Sequence, residues 1–295
     1  MQIRGLSAFP ITPSDAGGRI DTDALQRLLA RLAAAGVDSV GLLGSTGSYP
    51  YFSRAERGRA VAAAAECLGG RVNLLVGVGA LRTDAAVELA RDARQAGAAA
   101  GLLAPVSYAP LRDDEVFGHF RAVAETGLPL CIYNNPGTTH FSFSPDLVGR
   151  LSALPNVVAV KNPAPPPAEA PAVLAELRER AAPGFSVGFS VDWHAGAALL
   201  AGADAWYSVI AGIYPATTLR LARAAQAGDA AETQRLDRML EPVWRLFRAH
   251  SSYRVVHLAA AMAGIPNAVP PRPVLPLSGA ARQEVEQVLG ALALD

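Results

Sequence analysis

The sequence predicts an α/β protein, a (β/α)8 TIM barrel with a C-terminal helical appendage. Two observations carry the barrel. Short apolar runs alternate with helical patterns eight times between residues 3 and 227, at intervals of roughly 25 residues. Those runs are continuously apolar, as at residues 72–78 and 157–160, which suits a parallel sheet covered on both faces. The appendage follows from a third observation: beyond residue 228 only helical patterns remain. A doubly wound sheet shares the alternation and stays open as the alternative.

Residues 3–9 read as the first strand, with Pro10 and Pro13 in the loop behind it. Asp21 is placed to cap a helix whose Leu25, Leu28, Leu29 and Leu32 share one face, and Gly36 ends it. The second strand, residues 39–43, runs into a turn of small residues at 44–48, and Ser53 caps a helix to about residue 68. The third strand is 72–78, and Thr83 opens a helix to residue 96. The fourth strand is 99–104, closed by Pro105 and followed by a helix over 113–125. The fifth strand, 129–133, ends in an abrupt turn at 134–137, and Ser144 opens a short helix. The sixth strand is 157–162, with Pro163 to stop it. A helix over 168–182, a strand at 185–189 and a helix from Asp192 to residue 202 follow. The eighth strand is 205–210, and Pro215 sits in the first turn of the next helix. The barrel thus takes residues 1–227. The helical region takes 228–295, with helices near 229–250, 252–263 and 279–293.

Composition narrows the class of function. A net charge of zero without a basic block argues against nucleic-acid and membrane-surface partners. Cys67 and Cys131 lie far apart in apolar patterns and read as reduced thiols. The chain opens without a basic segment followed by an apolar run, so the expected location is cytoplasmic. The five histidines lack metal-ligand spacing, so no metal is expected. Gly77-Val78-Gly79 lacks the third glycine of a dinucleotide site, and no cofactor is expected.

One residue stands out. Lys161, at the end of the sixth strand, is the only lysine in 295 residues, while the other 25 basic residues are arginine. An arginine replaces a surface lysine well, but it cannot form an imine with a carbonyl. Apolar surroundings favour the uncharged form of an amine, so a strand-end lysine is a candidate Schiff-base nucleophile. Strand C-terminal ends converge on one face of such a barrel. That face gathers Ser45, Thr46 and Gly47 after the second strand, Tyr133 after the fifth, and Lys161. The turn's N–H groups and hydroxyls suit a 2-keto acid carboxylate, and the phenol suits proton transfer. Each group also has an ordinary reading: a lysine reaching solvent, a strand-to-helix turn, a packed tyrosine.

Together these residues resemble the pyruvate-dependent class I aldolases grouped with dihydrodipicolinate synthase and N-acetylneuraminate lyase. The resemblance runs from Ala8-Phe9-Pro10-Ile11-Thr12-Pro13 to Pro273-Val274-Leu275-Pro276-Leu277-Ser278. Its specific parts are Gly44-Ser45-Thr46-Gly47, Tyr133-Asn134-Asn135-Pro136, and Lys161, which follows the tyrosine by 28 residues. The resemblance implies that Lys161 forms an imine with pyruvate, that Tyr133 relays protons, and that Ser45, Thr46 and Gly47 bind the carboxylate. It also implies a homo-oligomer, dimer or tetramer. Several positions depart from the family. Ser48 stands where a glutamate usually ends the carboxylate loop, and the family's second tyrosine falls on Ser107, with Tyr108 one step late. Thr138, Thr139 and His140 stand where a true dihydrodipicolinate synthase carries an arginine for its aldehyde's carboxylate. Tyr108, Thr138 and His140 are therefore the remaining substrate-binding candidates, with Ile210 at the end of the eighth strand, where Ser208-Val209-Ile210 departs from the family's run. The expected activity is a Schiff-base aldolase, lyase or synthase acting on pyruvate or a related 2-keto acid, other than dihydrodipicolinate synthase itself. The alternatives are a dehydratase or deaminase of a sugar-derived acid using the same imine, or a barrel that binds such acids without turnover.

Overall fold

The computed structural model describes residues 2–292 and 294. Eight strands form a closed parallel barrel in which each pairs with the next and the last returns to the first. They are β1 (Gly5–Ala8), β2 (Ser39–Leu42), β3 (Asn73–Gly77), β4 (Ala100–Leu103), β5 (Leu130–Tyr133), β6 (Val157–Pro163), β7 (Ser186–Ser190) and β8 (Ala205–Ser208). The first four helices are α1 (Thr22–Ala35), α2 (Arg54–Leu68), α3 (Thr83–Gln95) and α4 (Asp113–Ala124). Then come α5 (Pro136–Thr139), α6 (Pro145–Ser152), α7 (Ala170–Arg180), α8 (Asp192–Leu200) and α9 (Pro215–Gln226). The chain ends with α10 (Ala230–His250), α11 (Ser252–Met262) and α12 (Gly279–Leu292), of which α10 packs across α8 and α9. None of the described helices is long and apolar enough to cross a membrane.

The caps read from the sequence are made. Asp21, Ser53 and Ser144 each accept a hydrogen bond from a backbone N–H three residues on, at 2.9, 3.3 and 3.1 Å. Gly36 takes the left-handed conformation that closes α1. Three expectations are corrected. β6 ends at Pro163 and not one residue before it: the proline still pairs with Ser190, because a proline at a strand's last position gives up no bond the ladder needs. The abrupt turn after Tyr133 continues into the single helical turn α5, with Pro136 at its start. Ile210 lies beyond β8, in a 3-10 turn over Ile210–Gly212.

Two cores result. The larger fills the space between strands and helices. The smaller fills the barrel, with Phe9, Leu75, Leu102, Cys131, Tyr133, Ala159 and Tyr207 pointing inward. The direction of Lys161 depends on one irregularity. Leu130 pairs with Val157, but the next residue, Cys131, pairs with Ala159, so Val158 is extra in β6. Val157 packs in the outer core, and strict alternation from there would turn residue 161 outward. The bulge shifts the phase by one residue, so Ala159 and Lys161 share the inward face with Cys131 and Tyr133.

Candidate active site

Lys161 and Tyr133 are register partners at the C-terminal ends of β6 and β5, and each is 6% exposed. The Nζ atom lies 4.1 Å from the centre of the Tyr133 ring and 5.5 Å from that of Phe9. No ion pair or hydrogen bond engages this amine among the described residues. Glycines make room for the Phe9 ring: a Cβ on Gly41 would lie 2.3 Å from it and one on Gly44 2.8 Å. Cys131 lies just below, 3.5 Å from the Tyr207 hydroxyl. Burial pushes its thiol up to about 12, so the sulfur is a poor rival nucleophile.

The loop after β2 is shaped by two non-glycine residues in left-handed conformation, Leu43 (φ 54) and Ser48 (φ 58). Glycine at position 77 is what admits Leu43, since a Cβ there would come within 1.8 Å of the Leu43 carbonyl oxygen. That gives Gly77 a packing role. Among the described residues the backbone N–H groups of Ser45, Thr46 and Gly47 find no acceptor. Successive free N–H groups of this kind form a concavity for an anion. The loop is braced from the C-terminal helices: Ser48 Oγ lies 2.7 Å from the hydroxyl of Tyr253 on α11. The Tyr253 ring rests 4.7 Å, centre to centre, from that of His257, whose Nδ1–H donates to the Ala268 carbonyl at 2.9 Å. Burial lowers His257 to about 4 and keeps it neutral.

Between lysine and loop lies a triangle of hydrogen bonds. Tyr133 Oη donates to Ser45 Oγ at 3.0 Å. The side-chain amide of Asn135 donates to Tyr133 Oη at 2.9 Å and to Ser45 Oγ at 3.3 Å. Beside it, Asn134 donates to Asn162 Oδ1 at 2.5 Å, which ties the ends of β5 and β6 together. On the far side, buried Asp192 accepts from Trp206 Nε1 and from the N–H groups of Val209 and Ile210 at 2.9–3.1 Å. Burial raises its carboxyl pKa against those hydrogen bonds.

The structure thus brings Lys161, Tyr133, Ser45, Thr46 and Gly47 to one mouth. It does not bring the other candidates there. Tyr108 is fully exposed and meets none of these groups in its own chain. Thr138 is exposed, and its hydroxyl donates to the Asn135 carbonyl at 3.3 Å. His140 is the exposed left-handed residue closing α5. The Ile210 side chain packs into the outer core, and its N–H belongs to Asp192. Sequence reasoning missed Asn135, whose signal was its place in the Tyr-Asn-Asn-Pro run, and Tyr253, which has no local signal at all.

Comparison with known proteins shows the family. Residues 2–292 match the Dihydrodipicolinate synthetase family. The 4-hydroxy-tetrahydrodipicolinate synthase of Methylibium petroleiphilum is 32% identical over 283 residues, 95% of this chain and 94% of the relative. A crystal structure of dihydrodipicolinate synthase from Agrobacterium tumefaciens superposes with a TM-score of 0.96 at 54% identity, covering 98% of both chains. The chloride-inhibited synthase of Acinetobacter baumannii, described in complex with pyruvate, gives 0.91 at 26% identity over the whole of both chains. With the family model, a relative over most of its length and a solved structure of the same fold in accord, the chain belongs to the dihydrodipicolinate synthetase family.

Proposed function

We propose that the protein is a Schiff-base aldolase or lyase that takes pyruvate, or a related 2-keto acid, as an imine on Lys161. The observation that carries this is a solitary lysine, buried and unpaired, in register with a tyrosine and facing a loop of free N–H groups. The carboxylate of the keto acid sits on the loop formed by Ser45, Thr46 and Gly47, which presents its carbonyl carbon to Nζ. Attack forms a carbinolamine. Tyr133, through Ser45, supplies the proton with which its hydroxyl leaves as water. Loss of a C3 proton then gives the enamine, a carbon nucleophile toward an aldehyde, and the reverse sequence cleaves the same bond. The Acinetobacter relative's description with pyruvate supports this choice of keto acid.

For the acceptor we read an aldehyde without a carboxylate. An anionic acceptor needs a cation, best a bidentate arginine. The segment after Tyr133 has none, and Arg112, at the start of α4, stands 84% exposed in a pair with Glu115. The names of the relatives favour a second reading, the synthase that condenses pyruvate with aspartate semialdehyde. A coupled assay decides between them. The expected outcome is turnover of a neutral aldehyde well above that of aspartate semialdehyde. An efficiency with the semialdehyde of about 10⁴ M⁻¹s⁻¹ or more would restore the synthase. We further read the protein as a cytoplasmic homo-oligomer, dimer or tetramer. Exposed Leu81 and Tyr108 offer apolar surface for such contact, and light scattering tests it.

A further inference from the structure

We propose that Asn135 is a positioning residue of the imine site, whose amide sets the direction in which Tyr133 and Ser45 pass protons. This rests on the imine reading above. Two hydroxyls in contact can hydrogen-bond in either sense, because each can donate and accept, whereas an amide NH₂ only donates. Asn135 Nδ2 touches both oxygens of the pair, at 2.9 Å from Tyr133 Oη and 3.3 Å from Ser45 Oγ. Both must therefore accept from it. Tyr133 Oη spends its hydrogen on Ser45 Oγ. The Ser45 oxygen then has both lone pairs engaged, and its own hydrogen is left for a group outside the triangle. Ser45 is half-buried and opens the loop of free N–H groups, so that group is the bound keto acid.

The Asn135 backbone, from which the amide extends, is held firmly. The Asn135 carbonyl accepts from the N–H groups of Thr138 and Thr139, at 3.0 and 3.1 Å, and from the hydroxyls of both. Thr138 and Thr139, read from the sequence as part of an acceptor pocket, thus serve to fix Asn135.

The proton count closes. In the carbinolamine the bond from Nζ to C2 has formed. The C2–O bond breaks as that oxygen takes the Ser45 proton and leaves as water, while the nitrogen lone pair makes the C=N bond. Ser45 is reprotonated by Tyr133, and the resulting phenolate oxygen still accepts the Asn135 N–H. The proton then lost from C3, as the iminium becomes the enamine, returns along the chain to Tyr133. The net change is amine plus keto acid to enamine plus water.

The test uses pyruvate alone. Exchange of its C3 hydrogens into D₂O, followed by NMR, reports proton transfer, and borohydride trapping reports imine formation. Asn135→Leu removes the donor, and Asn135→Asp keeps the shape but offers only acceptors. The leucine variant is expected to lose roughly ten- to a hundredfold in maximal exchange rate. The aspartate variant loses more, because both hydroxyls turn toward it. In both, half-saturation by pyruvate stays within about threefold and trapping still reaches one adduct per chain, which also certifies the fold. If wild-type protein is not trapped, the imine reading falls and this inference with it. If wild type is trapped but both variants exchange at its rate, or the two lose equally, or the loss lies in pyruvate affinity, Asn135 does not set the direction and the imine reading stands.

Discussion

The residues read as the site fall into two groups, built differently. On the lysine side, Lys161 and Tyr133 are held by strand register, Ser45 and Thr46 lie in a loop locked by Leu43 on Gly77, and Ser48 is braced by Tyr253. Away from it, Tyr108, Thr138 and His140 stand exposed, Tyr108 on the loop before α4 and the other two in and after the single turn of α5. Chemistry common to a family needs reacting atoms fixed to a fraction of an ångström, and strand ends supply that. Choice of the second substrate tolerates looser placement, and loops supply variation.

The contrast can be broken in order of expected effect. Tyr133→Phe should slow pyruvate C3 exchange by roughly 10²- to 10⁴-fold with little change in pyruvate affinity. A loss of tenfold or less would make Tyr133 a packing residue. Next comes the brace behind the loop. His257 titrates lower in the fold than when unfolded, so the unfolded chain binds its proton first as pH falls. Stability is then lost between pH 6.5 and about 4, by about 3 kcal/mol in all. Urea melts across that range check the slope, and His257→Gln should remove this component; an unchanged slope would refute the assignment. Smaller still, Ser48→Ala or Tyr253→Phe removes one hydrogen bond worth about 1 kcal/mol. Half-saturation by pyruvate should rise a few-fold while the maximal exchange rate holds, and a fall confined to that rate would contradict the brace. Last, Tyr108→Ala and His140→Ala should leave pyruvate exchange within about twofold, as surface changes do. A tenfold loss would put either residue on the lysine side.

Much of the lysine side was legible because its elements repeat simple rules. Apolar runs mark strands, strand ends converge, and a sole lysine in an arginine-rich chain stands out. What the sequence hid was decided by contacts it does not display. The extra residue Val158 chooses the face of Lys161, and nothing in the run 157–160 announces it. Ser48 and Tyr253 meet across 205 residues. Asn135 reads as turn chemistry until its amide is seen between two hydroxyls. Strand ends were read to within a residue or two: β6 takes in Pro163, and Ile210 falls beyond β8 because apolar character continues past that strand's end. Tyr108, His140 and Ile210 were placed by their positions relative to the family's motifs, which carry less meaning in loops.

The imine itself is the central claim, and intact mass after incubation with excess pyruvate and borohydride tests it most directly. Because Lys161 carries the only side-chain amine, just the α-amino group competes, and peptide mapping separates the two. The expected result is one reduced pyruvyl adduct per chain on Lys161, absent from a folded Lys161→Arg variant. An unmodified wild-type mass, or an adduct that survives in the arginine variant, would contradict the account.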